Sequence, residues 1–407
     1  MAVLFLQGPM GPFFRKLIVK LREKGAKAYK INFNGGDQWY SRGIDATAFT
    51  GRESEWAQFL RLFITEKKVS SICVYGDCRR YHRIAKTVAD ELGLGFYAFE
   101  EGYIRPNHLT FERNGVNGYS EIAIDGLPQW EDIEIEAENV MGGTLLNRAR
   151  YCTVYYNIAY LMRFKFSHYR HHRSFSPAYE AGCWLRALAR HYLYKVTQIS
   201  VQDKLVQQHS GRYFLVPLQV YNDAQIQFHS PYEAMEDFIR QLMESFSEHA
   251  GEQDILVFKH HPMDRGHSHY GELIASVAND LGISERAEYC HDQHLPTLLN
   301  HAKGVITINS TTALSAFYHK ASVRVMGDAF YDIEGLCSQQ SLADFWQQPE
   351  PIDYELFLRL RNFLVHHGQV NGSYYRKHDL STDAVLDEML NQKLTPTVKL
   401  CVSSAGL

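Results

Sequence analysis

The chain has 407 residues, more than one hydrophobic core usually holds, so two domains are expected. Its 45% hydrophobic and 22% charged content is that of a soluble globular protein, and a net charge of −4 speaks against a general nucleic-acid binder. Seven scattered cysteines without a C-x-x-C pair read as reduced thiols. No run of 18 apolar residues spans a membrane, and residues 1–6 are too short for a signal peptide, so a cytoplasmic protein, dissolved or surface-bound, is expected.

In chain order, strands are predicted at 3–6, 28–33, 71–75 and 95–99, with helices at 13–23, 53–66 and 79–92 between them. This β-α-β alternation signals a parallel sheet. Each strand stops in polar residues, where open α/β sheets place ligands. The first is followed by Gln7-Gly8-Pro9-Met10-Gly11-Pro12, which is neither a Walker loop nor a G-x-G-x-x-G. The third is followed by Gly76-Asp77-Cys78-Arg79-Arg80, and the fourth by Glu100-Glu101-Gly102-Tyr103-Ile104-Arg105-Pro106. A carboxylate there suits a nucleophile at a sugar's anomeric carbon, or a general base. Arg105 is near enough to pair with one carboxylate or with an anionic substrate. A solvated Glu-Glu pair at a helix start is the competing reading.

Residues 148–198 differ from both flanks, with nine Arg or Lys against one acid, Glu180, and twelve aromatics. This composition suits an anionic membrane surface, and equally a helical linker that buries its aromatics between domains.

The second half repeats the alternation. A strand is predicted at 213–220. Ser230-Pro231-Tyr232-Glu233 reads as N-cap, first-turn proline and capping acid of a helix to about 247. Strands at 255–259, 305–308 and 323–326 and helices at 270–281, 295–302 and 312–319 follow. Lys259-His260-His261-Pro262 ends one strand. Asn309-Ser310-Thr311-Thr312 ends another and opens a helix, whose free N–H groups suit a phosphate. Two such ends suggest a nucleotide-phosphate site. The His pairs 171–172 and 260–261 are adjacent, and neighbours on a strand face opposite ways, so no metal site is expected. No Asp-x-Asp occurs.

The expected fold is α/β and GT-B-like, with two Rossmann-like domains facing across a cleft. Its parts are an acceptor/catalytic domain at 1–145, a helical basic/aromatic segment at 146–200, a nucleotide-sugar domain at 201–350, and helices packing back plus a tail at 351–407.

Together and in order, these strand-end motifs resemble a known family. With them run Phe33-Asn34-Gly35-Gly36-Asp37, Arg170-His171-His172-Arg173-Ser174-Phe175-Ser176-Pro177 and Leu218-Gln219-Val220-Tyr221-Asn222-Asp223. The set is similar to the capsule polysaccharide proteins of the KpsS/LipB type, from near residue 1 to about 375. The resemblance implies a retaining β-Kdo glycosyltransferase of Gram-negative bacteria, peripheral on the inner membrane. It would move the first Kdo from CMP-Kdo to a (lyso)phosphatidylglycerol at the inner leaflet. The extending poly-Kdo transferase and the capsule ABC exporter would be its partners.

The resemblance also implies residue roles. His261 and Pro262 match a His-Pro motif and Ser310, Thr311 and Thr312 a Ser/Thr loop, both holding the nucleotide, with Asn309 beside them. Lys259 and His260 are candidate contacts to the phosphate or the Kdo carboxylate. Gln219 and Asp223 match a Gln-Val-x-x-Asp donor-side pattern. Glu101 stands where sister enzymes carry the Asp of Glu-Asp-Gly, the proposed nucleophile, and is longer by one methylene. Glu100 would be its acid/base partner. Gln7, Gly8, Asp77, Arg79, Arg170, His171, His172 and Arg173 fall on the substrate side. A CMP leaving group needs no diphosphate-bridging metal, so no cofactor is expected. The alternatives are a nucleotide-sugar epimerase on a similar scaffold and a non-catalytic export or scaffold protein.

Overall fold

A computed structural model describes residues 1–121, 138–171 and 176–392. The strands are β1 (Ala2–Phe5), β2 (Lys27–Asn32), β3 (Thr47–Ala48), β4 (Ser71–Tyr75), β5 (Gly95–Glu101), β6 (His108–Arg113), β7 (Tyr213–Pro217), β8 (Ile255–Lys259), β9 (Ala287–Cys290), β10 (Gly304–Thr307), β11 (Val323–Val325) and β12 (Gln369–Asn371). They form two sheets. The first has the order β12-β6-β5-β4-β1-β2-β3, with β1 to β5 parallel, β6 antiparallel to β5, and β12 antiparallel to β6 at that edge. The second, β11-β10-β7-β8-β9, is parallel throughout.

Strand β1 shows why these runs are continuously apolar. Val3 and Phe5 pack with Phe13, Leu17 and Leu21, while Leu4 and Leu6 pack on the other face with Trp56, Leu60 and Phe63. A strand covered by helices on both faces has no side to leave polar. The same sandwiching buries Phe214, Val216 and Phe258 on one face of the second sheet and Leu215 and Val257 on the other. The expected α/β architecture of two parallel-sheet domains is therefore present.

Two features depart from expectation, and the chain end, expected to pack back as helices, also adds a strand. Strand β7 ends at Pro217 rather than at residue 220, because the chain turns into a cleft loop there. The helix expected to start at Ser230 is Met235–His249, entered through Ala234, whose N–H is held by Asp237 at 3.2 Å. Ser230 instead hydrogen-bonds the Ile226 carbonyl at 2.7 Å and Tyr232 N–H at 3.3 Å, closing a turn. The chain end crosses back: β12 pairs with β6, and helix His378–Gln392 lies on helix Phe13–Glu23, tied by Lys16–Asp379 (2.9 Å) and Lys20–Asp383 (2.6 Å).

Between the domains run helices Leu145–Leu161, Pro177–Thr197 and Val201–Gln208. The first lies on helix Gly35–Tyr40 at unusually short range. A Cβ on Gly35 would stand 2.7 Å from the Ile158 carbonyl oxygen, and one on Gly36 2.7 Å from that of Tyr155. Only glycines admit this approach. Among the described residues no helix is long and apolar enough to cross a membrane.

Candidate active site

The carboxyl ends of the strands from both sheets open into one cleft of about 650 Å³. From the first domain it is lined by Gln7, Asp77, Arg79, Glu100, Glu101 and Arg105. The second contributes Gln219, Asp223, His261, Asn309, Ser310, Thr311 and Thr312, and the intervening segment Arg148, Tyr156, Tyr169, Arg170 and His171.

The two glutamates end β5, beside β4 on one side and β6 on the other. Gly102 follows because a Cβ there would fall 2.2 Å from the His108 carbonyl oxygen. The pair meets unlike surroundings. Glu101 Oε1 lies 3.4 Å from the Tyr75 and Tyr375 hydroxyls, which donate to it, and 3.6 Å from the Arg148 guanidinium. Glu100 Oε1 accepts from Glu101 N–H at 2.9 Å. Burial pushes the Glu100 carboxyl up to about 7; the Glu101 N–H opposes this, the Glu101 charge adds to it, and Arg79 again opposes it. One carboxylate is thus ringed by donors, and its neighbour holds a proton near neutral pH. Sequence reasoning offered Arg105 as the pairing cation. In the structure its Nε donates to the Gly102 carbonyl at 3.1 Å, and Arg148 takes that place beside Glu101.

Across the cleft, His261 Nδ1 accepts from Met263 N–H at 3.1 Å. Burial, and then the charges of Lys259, Arg105 and Arg148, hold its pKa down to about 4. The ring is neutral at pH 7. With Nδ1 occupied as acceptor, the proton sits on Nε2, a donor for an anion.

The Ser/Thr loop is less open than expected. Ser310 N–H is taken by Thr307 Oγ1, Thr312 N–H by Ser310 Oγ and Ala313 N–H by the Ser310 carbonyl. These three amides are met from within, so an anion here would meet mainly the Ser and Thr hydroxyls. Asn309 acts as a clamp: its Nδ2 donates to the Gln225 and His229 carbonyls, and its Oδ1 accepts from Gln219 Nε2. Gln219 also accepts from Asn309 N–H, and Asp223 caps Gln225 N–H at 3.0 Å. These three shape the second domain's loops at the cleft.

Four expected site residues lie away from the cleft lining. Lys259 is buried at the end of β8, where desolvation lowers its pKa. His260 turns to the opposite side, as strand alternation demands, and meets the Tyr289 hydroxyl at 2.8 Å. Pro262 opens the 3-10 turn Pro262–Asp264. Gly8 is pressed against Phe14, whose ring carbon would be 2.6 Å from a Cβ. His172 and Arg173 lie outside the described residues. Gln7 reaches the cleft, but its amide serves Tyr155 (2.6 Å) and Tyr169 (3.0 Å), and Asp77 is held by Val116 N–H at 2.8 Å. Sequence reasoning missed Arg148, Tyr75 and Tyr375. Arg148 opens the basic segment, which was one available signal; nothing in sequence spacing ties Tyr375 to Glu101.

A model of the capsule polysaccharide biosynthesis protein family matches residues 70–375. The chain is 44% identical over 377 residues to the capsule polysaccharide export protein KpsS of Escherichia coli, covering 91% of this chain and 96% of that protein. It is 34% identical over 382 residues to the capsule polysaccharide modification protein LipB of Neisseria meningitidis serogroup A, covering 92% and 91%. Among solved structures it is similar to KpsC of Thermosulfurimonas dismutans, a β-Kdo 2,7 transferase, with a TM-score of 0.45 and 15% identity over 97% of this chain and all of that one.

Proposed function

The chain belongs to the capsule polysaccharide biosynthesis family, and from that premise we propose that it is a retaining β-Kdo transferase. It takes CMP-Kdo as donor and an anionic (lyso)phosphatidylglycerol as acceptor, at the cytoplasmic face of the inner membrane, ahead of the extending poly-Kdo transferase and the capsule exporter. The observation that carries this reading is the single cleft joining the Glu100–Glu101 strand end to His261 and the Ser310–Thr312 loop. Its volume suits a nucleotide-sugar.

The Glu101 carboxylate attacks the anomeric carbon as the bond to the CMP phosphate oxygen breaks, forming a Kdo–enzyme ester. The acceptor hydroxyl then attacks the same carbon, the ester bond breaks and the carboxylate is restored. The hydroxyl proton passes to Glu100. Two inversions give net retention. His261 Nε2–H and the loop hydroxyls meet the departing phosphate, while the cleft arginines meet the Kdo carboxylate and the lipid phosphate.

Mass spectrometry of lipid and protein after incubation with CMP-Kdo and lysophosphatidylglycerol tests this. A lipid heavier by one Kdo, and a Kdo-sized adduct on Glu101, are expected. An adduct elsewhere moves the nucleophile. Conversion of the nucleotide-sugar without acceptor, and no lipid product, refutes the transferase in favour of an epimerase.

A further inference from the structure

Among the described residues, helix Pro177–Thr197 meets the second domain by one face. Cys183, Ala187, Arg190 and Tyr194 recur at helical spacing and meet the second domain. The Arg190 guanidinium donates to the Arg265 carbonyl at 2.7 Å and the Ser268 carbonyl at 3.1 Å, and Tyr194 stacks on His291 at 3.6 Å. Gly266 permits the contact, since a Cβ there would sit 2.1 Å from the Cys183 carbonyl oxygen. At 100° per residue the opposite face carries Trp184, Leu185, Leu188, Tyr192 and Val196, and Ile199 extends it past the helix end. Each is 54–77% exposed. Exposed apolar residues are ordinary when scattered; a continuous helical stripe of them marks a surface that something covers.

We infer that this stripe is the face by which the protein lies on an anionic phospholipid bilayer. Charge selects the occupant. At the same 100° per residue, exposed Lys195 lies between Trp184 and Leu188 near one edge of the stripe, exposed Arg186 lies beyond its other edge, and the helix's one acid, Glu180, is turned toward His267 at 3.3 Å. Lysine is depleted at the cores of protein interfaces, whereas basic flanks with Trp and Tyr at headgroup depth are what an interfacial helix presents. A second point repeats the pattern on the same segment. Phe164 is 78% and Leu161 67% exposed, and the Arg163 guanidinium covers the Tyr160 and Phe164 rings at 4.1 and 4.4 Å. The segment also walls the cleft with Tyr156, Tyr169, Arg170 and His171. A protein held by it would have its cleft wall beside the headgroups. For that purpose the inference rests on the lipid-acceptor reading, whereas bilayer binding is measured without turnover.

The experiment is flotation of the full-length protein with phosphatidylethanolamine/phosphatidylglycerol vesicles and with phosphatidylcholine vesicles. The wild type is expected to float with the anionic vesicles. The L185D/L188D/V196D variant is expected to partition at least about tenfold more weakly. These side chains already face water, so an unchanged melting temperature checks the fold, and transfer to a short-chain monomeric acceptor stays at the wild-type rate. A variant that floats like the wild type overturns the inference. So does a wild type that ignores anionic vesicles and is a dimer by light scattering that the variant dissociates, because a second copy then covers the stripe. Loss of flotation in the variant, with no transfer by any form of the protein, supports the docking face and sinks the transferase instead.

Discussion

The division of labour between Glu100 and Glu101 is set by what each side chain touches, and it predicts two different mutant signatures. Glu101→Gln keeps the size and the contacts to Tyr75, Tyr375 and Arg148 but removes the proposed nucleophile. It should lower kcat by roughly 10³-fold or more in a lipid-product assay, leaving donor affinity by calorimetry near that of the wild type. In the proposed mechanism Glu100 acts through its proton. Its burial-raised pKa of about 7 means that the base form is gained as pH rises through neutrality. The wild-type kcat should climb from pH 6 to 8, and Glu100→Gln should lower it by about 10²-fold or more and flatten that limb. A pH–rate profile that keeps its neutral limb in the variant removes Glu100 from the proton step. His261, neutral with a pKa of about 4, should behave otherwise. His261→Ala should raise the donor KM with no new pH dependence between 6 and 8, because the ring donates one fixed N–H throughout that window.

The helix pair Gly35–Tyr40 and Leu145–Leu161 locks the basic segment to the first domain. Tyr155 is its pin. The hydroxyl donates to Asp37 Oδ1 at 3.0 Å and accepts from Asn34 Nδ2 at 2.7 Å and Gln7 Nε2 at 2.6 Å, tying two strand ends to one helix. Gly36→Ala tests the lock. Helix propensity alone would favour alanine by about 1 kcal/mol. The added Cβ, however, would lie 2.7 Å from a backbone oxygen, which no rotamer change relieves. Overpacking at about 1–3 kcal/mol should win, lowering the urea midpoint and loosening residues 145–171 to proteolysis. Unchanged stability and cleavage would mean that the two helices separate freely. This pair also shows what was legible in the sequence. The Asn-Gly-Gly-Asp run stood out as a motif, yet its purpose, a bare helix face for a segment more than 110 residues away, has no local signal. Strands β1, β4 and β8 were legible because burial on both faces writes an uninterrupted apolar run. Strand β6 was not: it carries His108, Thr110 and Glu112 into the interior, with partners from distant stretches, such as Gln369 Nε2 donating to Thr110 Oγ1 at 2.9 Å. Strand β12, at three residues, is defined only by the neighbour it joins.

The chain's return from its second domain to its first makes the glutamate end of the cleft depend on the last residues that pack. Tyr374 meets Phe13 and Tyr75 edge-on, with ring centroids 5.0 and 5.2 Å apart, and its hydroxyl donates to the Glu100 carbonyl at 2.9 Å. Tyr375, next to it, reaches Glu101 from the same turn. The Gln369 side chain accepts from Tyr103 N–H at 2.7 Å, and Tyr103 packs on Phe330 of the second domain at 4.5 Å, so one short stretch braces both the glutamates and the domain junction. Two tyrosines side by side should therefore fail differently. Tyr374→Ala removes a fully buried ring and should cost about 3–5 kcal/mol, confined to the unfolding transition of the first domain. Tyr375→Phe removes one hydroxyl at the margin of the cleft and should leave both transitions in place while lowering kcat, because a donor to the Glu101 carboxylate is gone. Hydrogen exchange resolves the two domains within the intact chain, and the expected pattern for Tyr374→Ala is faster exchange across β1, β4, β5 and β6 with β7 to β11 unchanged. Equal acceleration in both sheets would show that the domains unfold as one unit, with the returning chain bracing the whole molecule rather than the first domain alone.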